Sequence, residues 1–189
     1  MNELDIVGIC GSLRGGSINR MALELAGSVM PATMKLDIVD IGAVPLFNGD
    51  VLAQGFPPSV ADLRERLRRA DAVVIATPEY NFSIPGVLKN ALDWVSRGDD
   101  QPFAMKPVAI LSASPGPVGG ARVQYDLRKV LLFMNAMVLA KPEVFIGLAP
   151  KKFDAQGVCI DDDTRKFTAA QMQSLERWIA GVKRMTTQP

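Results

Sequence analysis

The chain has 189 residues, the length of one ordinary domain, and 48% of them are hydrophobic while 22% are charged, which excludes a disordered chain. Its 21 basic and 20 acidic residues leave a net charge of +1, so charge gives no reason to expect binding to nucleic acid or to an anionic membrane. The absence of histidine excludes a Ser-His-Asp triad and a histidine-ligated zinc site. With only two cysteines, Cys10 and Cys159, a disulfide scaffold is excluded as well, and difficult chemistry would depend on a cofactor.

The sequence shows no targeting segment. Residues 1–10 carry acidic groups and lack the basic stretch of a signal peptide. The longest apolar run, residues 130–140, is shorter than the roughly 18 residues that a membrane-spanning helix needs. We therefore expect a cytoplasmic protein with reduced thiols.

Short apolar strands alternate with amphipathic helices along the chain. The apolar runs predict strands at residues 4–9, 36–41, 72–76, 106–112 and 137–146, the last broken at Pro142. Apolar residues at helical spacing predict helices at 18–29, 60–70, 87–95, 123–134 and 163–183. Ser17 or a close neighbour is the predicted cap of the first helix. The last helix is predicted to bury five apolar side chains: Phe167, Leu175, Trp178, Ile179 and Val182.

This alternation predicts an α/β fold, a doubly wound parallel sheet of five strands with helices on both faces. Such sheets bind ligands at the carboxyl ends of their strands, where the strand order reverses. Three loops with unusual composition follow predicted strands and are named here loop A (10–19), loop B (77–86) and loop C (112–120). We expect the functional site to lie among these loops.

Loop A has the composition of a phosphate site. Ser12, Arg14, Ser17 and Asn19 flank the predicted start of a helix, where backbone N–H groups favour an anion. The loop lacks the glycine spacing of a dinucleotide-binding motif and the lysine of a P-loop, so a lone phosphate fits better than a pyrophosphate. The alternative is a glycine-rich turn that binds nothing.

Loop B places two aromatic residues, Tyr80 and Phe82, where a strand ends, between the stiffening prolines Pro78 and Pro85. Its backbone groups are suited to a planar heterocycle with a polar edge. The alternative is that the aromatic rings cap the core. Trp94, on the helix that follows, is predicted to pack or to lie in an interface.

Together these segments resemble the NADPH-dependent FMN reductases, a flavodoxin-like family that includes quinone, azo-dye and chromate reductases. GSLR-x-GS-x-N in loop A resembles the family's FMN phosphate site, and TPEYN-x-S-x-PG-x-LKNA-x-DW, which begins in loop B, resembles its isoalloxazine-contacting segment. S-x-S-x-G-x-x-GG in loop C resembles the family's loop after the fourth strand. The resemblance covers about residues 1–183 and departs mainly at Pro115 and Pro117, which stiffen loop C.

The resemblance implies a single flavodoxin-like FMN-binding domain over residues 1–189. It assigns the FMN phosphate to five residues of loop A: Ser12, Arg14, Ser17, Ile18 and Asn19. It assigns the flavin ring to five residues of loop B and two of loop C: Pro78, Glu79, Tyr80, Asn81, Phe82, Ser114 and Gly116. Glu79 and Asn81 are expected to act mainly through backbone N–H groups, so truncating their side chains should have little effect. No catalytic side chain and no metal ligand is implied, because flavin N5 carries the chemistry.

The function that the resemblance implies is that of an FMN-dependent NAD(P)H oxidoreductase. Electrons would pass by a ping-pong mechanism from NADPH or NADH through bound FMN to a quinone, an azo compound, a nitroaromatic compound or chromate. The family forms dimers and often tetramers, so a homodimer or homotetramer is expected. The alternatives are a flavin reductase that releases reduced FMN, a flavodoxin-like carrier, which the +1 charge disfavours, and a module that has lost FMN.

Three further features of the sequence are interpreted separately. The basic run that contains Arg64, Arg66, Arg68 and Arg69 is predicted to be a solvated helix face. Cys10 is predicted to be a small buried residue. Two residues of the fourth helix either belong to plain surface or reach a neighbouring subunit's flavin: Arg122 and Tyr125.

Overall fold

A computed structural model describes residues 3–187. Within that range six strands are found: β1 (Leu4–Cys10), β2 (Met34–Val39), β3 (Ala72–Thr77), β4 (Pro107–Ala113), β5 (Met137–Val138) and β6 (Val144–Ile146). The same range contains six α-helices: α1 (Ile18–Val29), α2 (Gly49–Leu52), α3 (Pro58–Arg69), α4 (Gly86–Val95), α5 (Ala121–Phe133) and α6 (Asp162–Thr187). Every predicted element is present, β2 lies two residues earlier than predicted, and the short helix α2 was not predicted.

The sheet is parallel, with the strand order β2-β1-β3-β4-β5, and β6 also pairs with β4. The predicted fold class is therefore confirmed. The chain first adds β2 on one side of β1 and then returns to add β3 on the other side. The strand order thus reverses between β1 and β3, and loops A and B leave the sheet on the two sides of this point.

Each face of the sheet has its own hydrophobic core. Helices α1 and α6 pack on one face, through side chains such as Leu23, Met172 and Leu175. Helices α3, α4 and α5 cover the other, through side chains such as Leu67 and Leu92. The central strands β3 and β4 are buried along their whole length, in keeping with their mostly apolar sequences.

The fifth strand is interrupted, as its sequence predicts. β5 and β6 pair with β4 separately, on either side of the cis peptide before Pro142. Two buried glutamines cover the interruption from opposite faces. From α6, the Gln171 side-chain amide donates to the carbonyl oxygens of Ile110 and Pro142 at 3.0 and 2.9 Å. From α5, Gln124 donates to the backbone of β6 at 2.8 Å.

The predicted burial of Phe167 is wrong, since its ring is 61% exposed. The first two turns of α6 instead bury Thr164 and Thr168. The Thr168 hydroxyl donates to the Thr164 carbonyl at 2.8 Å, which makes a polar residue tolerable inside. The buried face of α6 therefore passes through two threonines, and Phe167 faces solvent.

The prediction of a solvated basic face on α3 holds for Arg66 and Arg68, which form exposed ion pairs, and is wrong for Arg64. The Arg64 guanidinium is buried and donates to the carbonyl oxygens of Val95 and Arg97 at 2.6 and 2.5 Å. It also bonds to the exposed Asp100. Arg64 thus fixes the segment after α4 to α3.

Among residues 3–187, no helix has both the length and the apolar character to cross a membrane.

The two hydrogen bonds of Gln171 at the strand break predict a difference in stability between variants at two positions of α6. Gln171→Met would leave two carbonyl oxygens without their donor, and we expect the free energy of unfolding to fall by about 1–3 kcal/mol. Gln173→Met, an exposed position on the same helix, should change it by less than about 0.5 kcal/mol. Urea unfolding of the wild type and the two variants measures these free energies. Equal values for all three would show that the Gln171 hydrogen bonds do not stabilise the fold.

Candidate functional site

Loop A leads into the start of α1, where Ser17 and Asn19 are buried and Ile18 is half-buried. The Ser17 hydroxyl caps the helix by accepting from the Arg20 N–H at 3.4 Å, as predicted. The N–H groups of Ile18 and Asn19 have no acceptor among residues 3–187. Arg14 and the two glycines beside it are exposed in the loop that precedes these amides. Free amides at a helix start favour an anion, so the predicted phosphate site at loop A stays a prediction that this geometry allows.

The Asn19 side chain was expected to contact a phosphate, but it bonds to the end of β4 instead. Its amide is buried and pairs twice with Ala113, donating to the carbonyl at 3.0 Å and accepting from the N–H at 2.9 Å. This pair ties the start of α1 to the end of β4, where loop C begins. The predicted phosphate contact of Asn19 is left to its backbone N–H.

Cys10 lies directly before loop A and is buried, as predicted. Burial raises the pKa of its thiol, which outweighs the hydrogen bonds around it. The thiol is therefore protonated and unreactive at neutral pH.

Loop B contains a tight turn at its centre. The N–H groups of Tyr80 and Ser83 each donate to the other residue's carbonyl, at 3.1 and 2.9 Å. Between them Asn81 (φ 51°) and Phe82 (φ 66°) both adopt the left-handed conformation, the geometry of a type I′ turn. A phenylalanine is strained there, so surrounding contacts must hold it. Its ring is 66% exposed, which rules out the alternative that it caps the core.

Helix α5 supplies those contacts. The Arg122 guanidinium lies 3.9 Å from the centre of the Phe82 ring, and its Nε donates to Glu79 Oε1 at 2.7 Å. One turn later, hydrogen bonds from Lys129 and Ser83 lower the pKa of the Asp126 carboxyl. Loop B therefore rests on the first turns of α5.

The Glu79 side chain also accepts from the backbone N–H groups of Arg122 and Val123, at 3.1 and 3.3 Å. Glu79 was expected to act mainly through its backbone N–H, but its side chain also makes these contacts, so we now expect its truncation to have an effect. Sequence reasoning missed the contact because the partners lie 43 and 44 residues apart. The only local sign is that two glycines precede α5 where a capping residue would usually stand.

The two residues of helix α5 left open by the sequence differ in their contacts. Arg122 is engaged within its own chain through Glu79 and Phe82. Tyr125 is 54% exposed and lies beside Phe145, with ring centres 6.5 Å apart. Trp94, by contrast, is fully buried, and its indole N–H donates to the Pro45 carbonyl at 2.8 Å, so its predicted packing role is confirmed.

Loop C is held against β6. The Ser114 N–H donates to the Ile146 carbonyl at 3.0 Å, and the Ser114 hydroxyl donates to the Gly116 carbonyl at 3.2 Å. The buried Ser112 hydroxyl donates to the Gly119 carbonyl at 2.6 Å. Gly116 is exposed at the outer turn of the loop, and Ser114 is half-buried below it.

The structure thus brings loops A, B and C to one edge of the sheet, at the ends of the neighbouring strands β1, β3 and β4. Asn19 joins loop A to loop C, and Glu79 joins loop B to α5. The result is an exposed shelf with unpaired backbone donors at one end and a braced aromatic turn at the other. A phosphate attached to a planar ring system fits this arrangement.

Comparison with known proteins agrees with this geometry. Residues 4–151 match the family described as NADPH-dependent FMN reductase. An NAD(P)H-dependent FMN reductase of Pseudomonas aeruginosa is 50% identical over 178 residues, covering 94% of this chain and 96% of that protein. A quinone reductase of Escherichia coli K12 is 46% identical over 184 residues, covering 96% and 98% of the two chains.

A solved structure supports the same conclusion. FerB, a flavoenzyme NAD(P)H:(acceptor) oxidoreductase from Paracoccus denitrificans, superposes with a TM-score of 0.87 at 32% identity. The match covers 94% of this chain and 98% of FerB. The predicted enzyme class, the FMN cofactor and the use of a nicotinamide cosubstrate are confirmed at the level of the family. The chain belongs to the NADPH-dependent FMN reductase family of flavodoxin-like oxidoreductases.

Proposed function

We propose that this chain reduces quinones at the expense of NAD(P)H, using FMN bound on the shelf formed by loops A, B and C. The reaction is NAD(P)H + H⁺ + quinone → NAD(P)⁺ + hydroquinone. The quinone reductase of E. coli at 46% identity supports the acceptor class. The observation that carries the proposal is the pair of unpaired N–H groups at the start of α1 beside Arg14, facing the same edge as loop B.

The phosphate end of FMN fits loop A by donor chemistry. The N–H groups of Ile18 and Asn19 and the positive end of α1 favour a dianion. The Arg14 guanidinium and the Ser12 and Ser17 hydroxyls are further donors within the same loop. All five residues predicted for the phosphate therefore remain in the proposed site, with Asn19 acting through its backbone.

The ring end fits loops B and C. The N–H groups of Glu79 and Asn81 have no acceptor among residues 3–187, and such fixed donors favour the negative charge of reduced flavin. Pro78, Tyr80 and Phe82 supply apolar surface for the ring, and Ser114 and Gly116 approach it from loop C. We propose that residues 1–189 form one FMN-binding domain around this site.

When bound, FMN would supply the two-electron redox chemistry between the nicotinamide and the acceptor. The chain's own residues bind the phosphate, orient the ring and leave one side of the shelf open for two planar substrates in turn. No side chain acts as an acid or base, and the chain has no histidine for that role. We propose a ping-pong mechanism on this basis.

Three further proposals concern the range of acceptors, the oligomeric state and the location of the protein. Azo compounds, nitroaromatic compounds and chromate are proposed as additional acceptors, because an exposed flavin reduces them all. A homodimer or homotetramer is proposed, with Tyr125 at its interface because the side chain is exposed beside the site. A cytoplasmic location is proposed because Cys10 and Cys159 are both free thiols.

A second candidate is a flavin reductase that releases reduced FMN. The P. aeruginosa relative at 50% identity carries the name of an FMN reductase, which favours it. Gel filtration after reduction separates the two functions. Flavin that stays with the protein indicates a prosthetic group, and flavin that elutes separately indicates a product.

The phosphate assignment predicts a selective loss in one variant. We expect Arg14→Gln to weaken FMN binding about tenfold, because a charge-assisted contact to the phosphate is lost. Riboflavin, which has no phosphate, should bind the variant and the wild type equally. Fluorescence titration measures both affinities. Arg66→Gln, on the exposed face of α3, is the matched control and should leave FMN affinity unchanged. Equal losses for FMN and riboflavin would contradict the assignment.

The mechanism predicts a kinetic pattern. Initial rates measured over a grid of NADPH and quinone concentrations should give parallel lines in double-reciprocal plots, because the two substrates occupy the same shelf in turn. Intersecting lines would show that both substrates are bound together and would overturn the ping-pong proposal.

A further inference from the structure

The start of α5 cannot be capped by its own sequence. It follows Gly119 (φ 64°) and Gly120 (φ 76°), and no side chain in this segment caps the helix. A Cβ atom on Gly119 would lie 2.7 Å from the Phe145 carbonyl carbon, and one on Gly120 would lie 2.9 Å from Ser112 Cβ. Serine or aspartate, the usual caps, therefore do not fit at Gly120, and the first amides of α5 need an acceptor from elsewhere.

Glu79 of loop B is that acceptor. One carboxylate oxygen accepts from the N–H groups of Arg122 and Val123, and the other accepts from Arg122 Nε at 2.7 Å. Only 9% of the Glu79 side chain is exposed. A buried carboxylate with three donors is well matched, and it holds loop B against α5.

The contact also balances charge at the edge of the shelf. The start of a helix carries about half a positive charge, and Arg122 adds a full one. The Glu79 carboxylate carries one negative charge and offsets most of this positive charge. It belongs to the same residue whose backbone N–H is proposed to face the flavin ring, so a change in its charge acts close to the ring.

We propose that Glu79 is a positioning residue that holds loop B on α5 and, by offsetting the positive charge there, sets the reduction potential of bound FMN. This inference rests on the proposed function. Without the carboxylate's charge, the start of α5 and Arg122 stabilise reduced flavin, which is more negative than oxidised flavin. Without the charge of Arg122, the uncompensated carboxylate has the opposite effect.

The test is the midpoint potential of FMN bound to four proteins: the wild type, Glu79→Gln, Arg122→Gln and Glu65→Gln. In Glu79→Gln the potential should become more positive, with reduced FMN gaining about two- to fivefold in affinity relative to oxidised FMN. In Arg122→Gln the potential should become more negative. Glu65→Gln removes the same charge from an exposed ion pair on α3, and the potential should stay at the wild-type value.

Opposite shifts separate the proposal from a merely structural role, because a loosened loop B would move both variants in the same direction. Shifts of one sign, or no shift in either variant, would overturn the proposal. If circular dichroism shows that Glu79→Gln does not fold, Arg122→Gln decides alone, since Glu79 keeps its bonds to the backbone of α5 there. A wild type that binds no FMN would overturn the proposed function instead.

Discussion

Burial of the central strands on both faces is the constraint from which the rest of the molecule follows. β3 and β4 are buried along their whole length and mostly apolar, so helices must cover both sides of the sheet, and every connection between parallel strands must cross over. The crossovers return the chain so that β1, β3 and β4 end at the same edge. Three loops distant in sequence are thereby brought together without any one of them encoding the site alone.

At this edge of the sheet, polar side chains hold together the loops that the strand order brings close to one another. Asn19 bonds to both backbone groups of Ala113, and Glu79 bonds to the backbone of α5. In each case a buried polar side chain satisfies backbone groups of a neighbouring loop or helix, where leaving them unpaired would cost about 1–3 kcal/mol. The same principle operates at the strand break near Pro142, where Gln171 and Gln124 serve as substitutes for missing ladder bonds. The shelf is thus rigid at its base while its outer surface stays exposed.

The strand and helix order follows from the sequence because hydrophobic spacing is a local signal, and most boundaries agree within two residues. The break at Pro142 was predictable for the same reason, since proline lacks the N–H that a strand needs. Burial of single residues was less predictable. Phe167 faces solvent while Thr164 and Thr168 take the buried face, with their hydroxyls bonded to Asp161 and to the Thr164 carbonyl. Arg64 is buried because three carbonyl oxygens accept from its guanidinium. Neither reason is visible in the local pattern, and the long-range contact of Glu79 with α5 has no local signal beyond the two glycines before the helix.

The central claim, that this shelf binds FMN as a redox group between NAD(P)H and a quinone, is tested most directly by one anaerobic absorbance experiment. The purified protein is mixed with FMN, separated from free flavin, and then treated with NADPH and afterwards with a quinone. Flavin bands that stay with the protein, bleach with NADPH and return with the quinone are the predicted result. A protein that retains no flavin, or bound flavin that NADPH does not bleach, would contradict the claim.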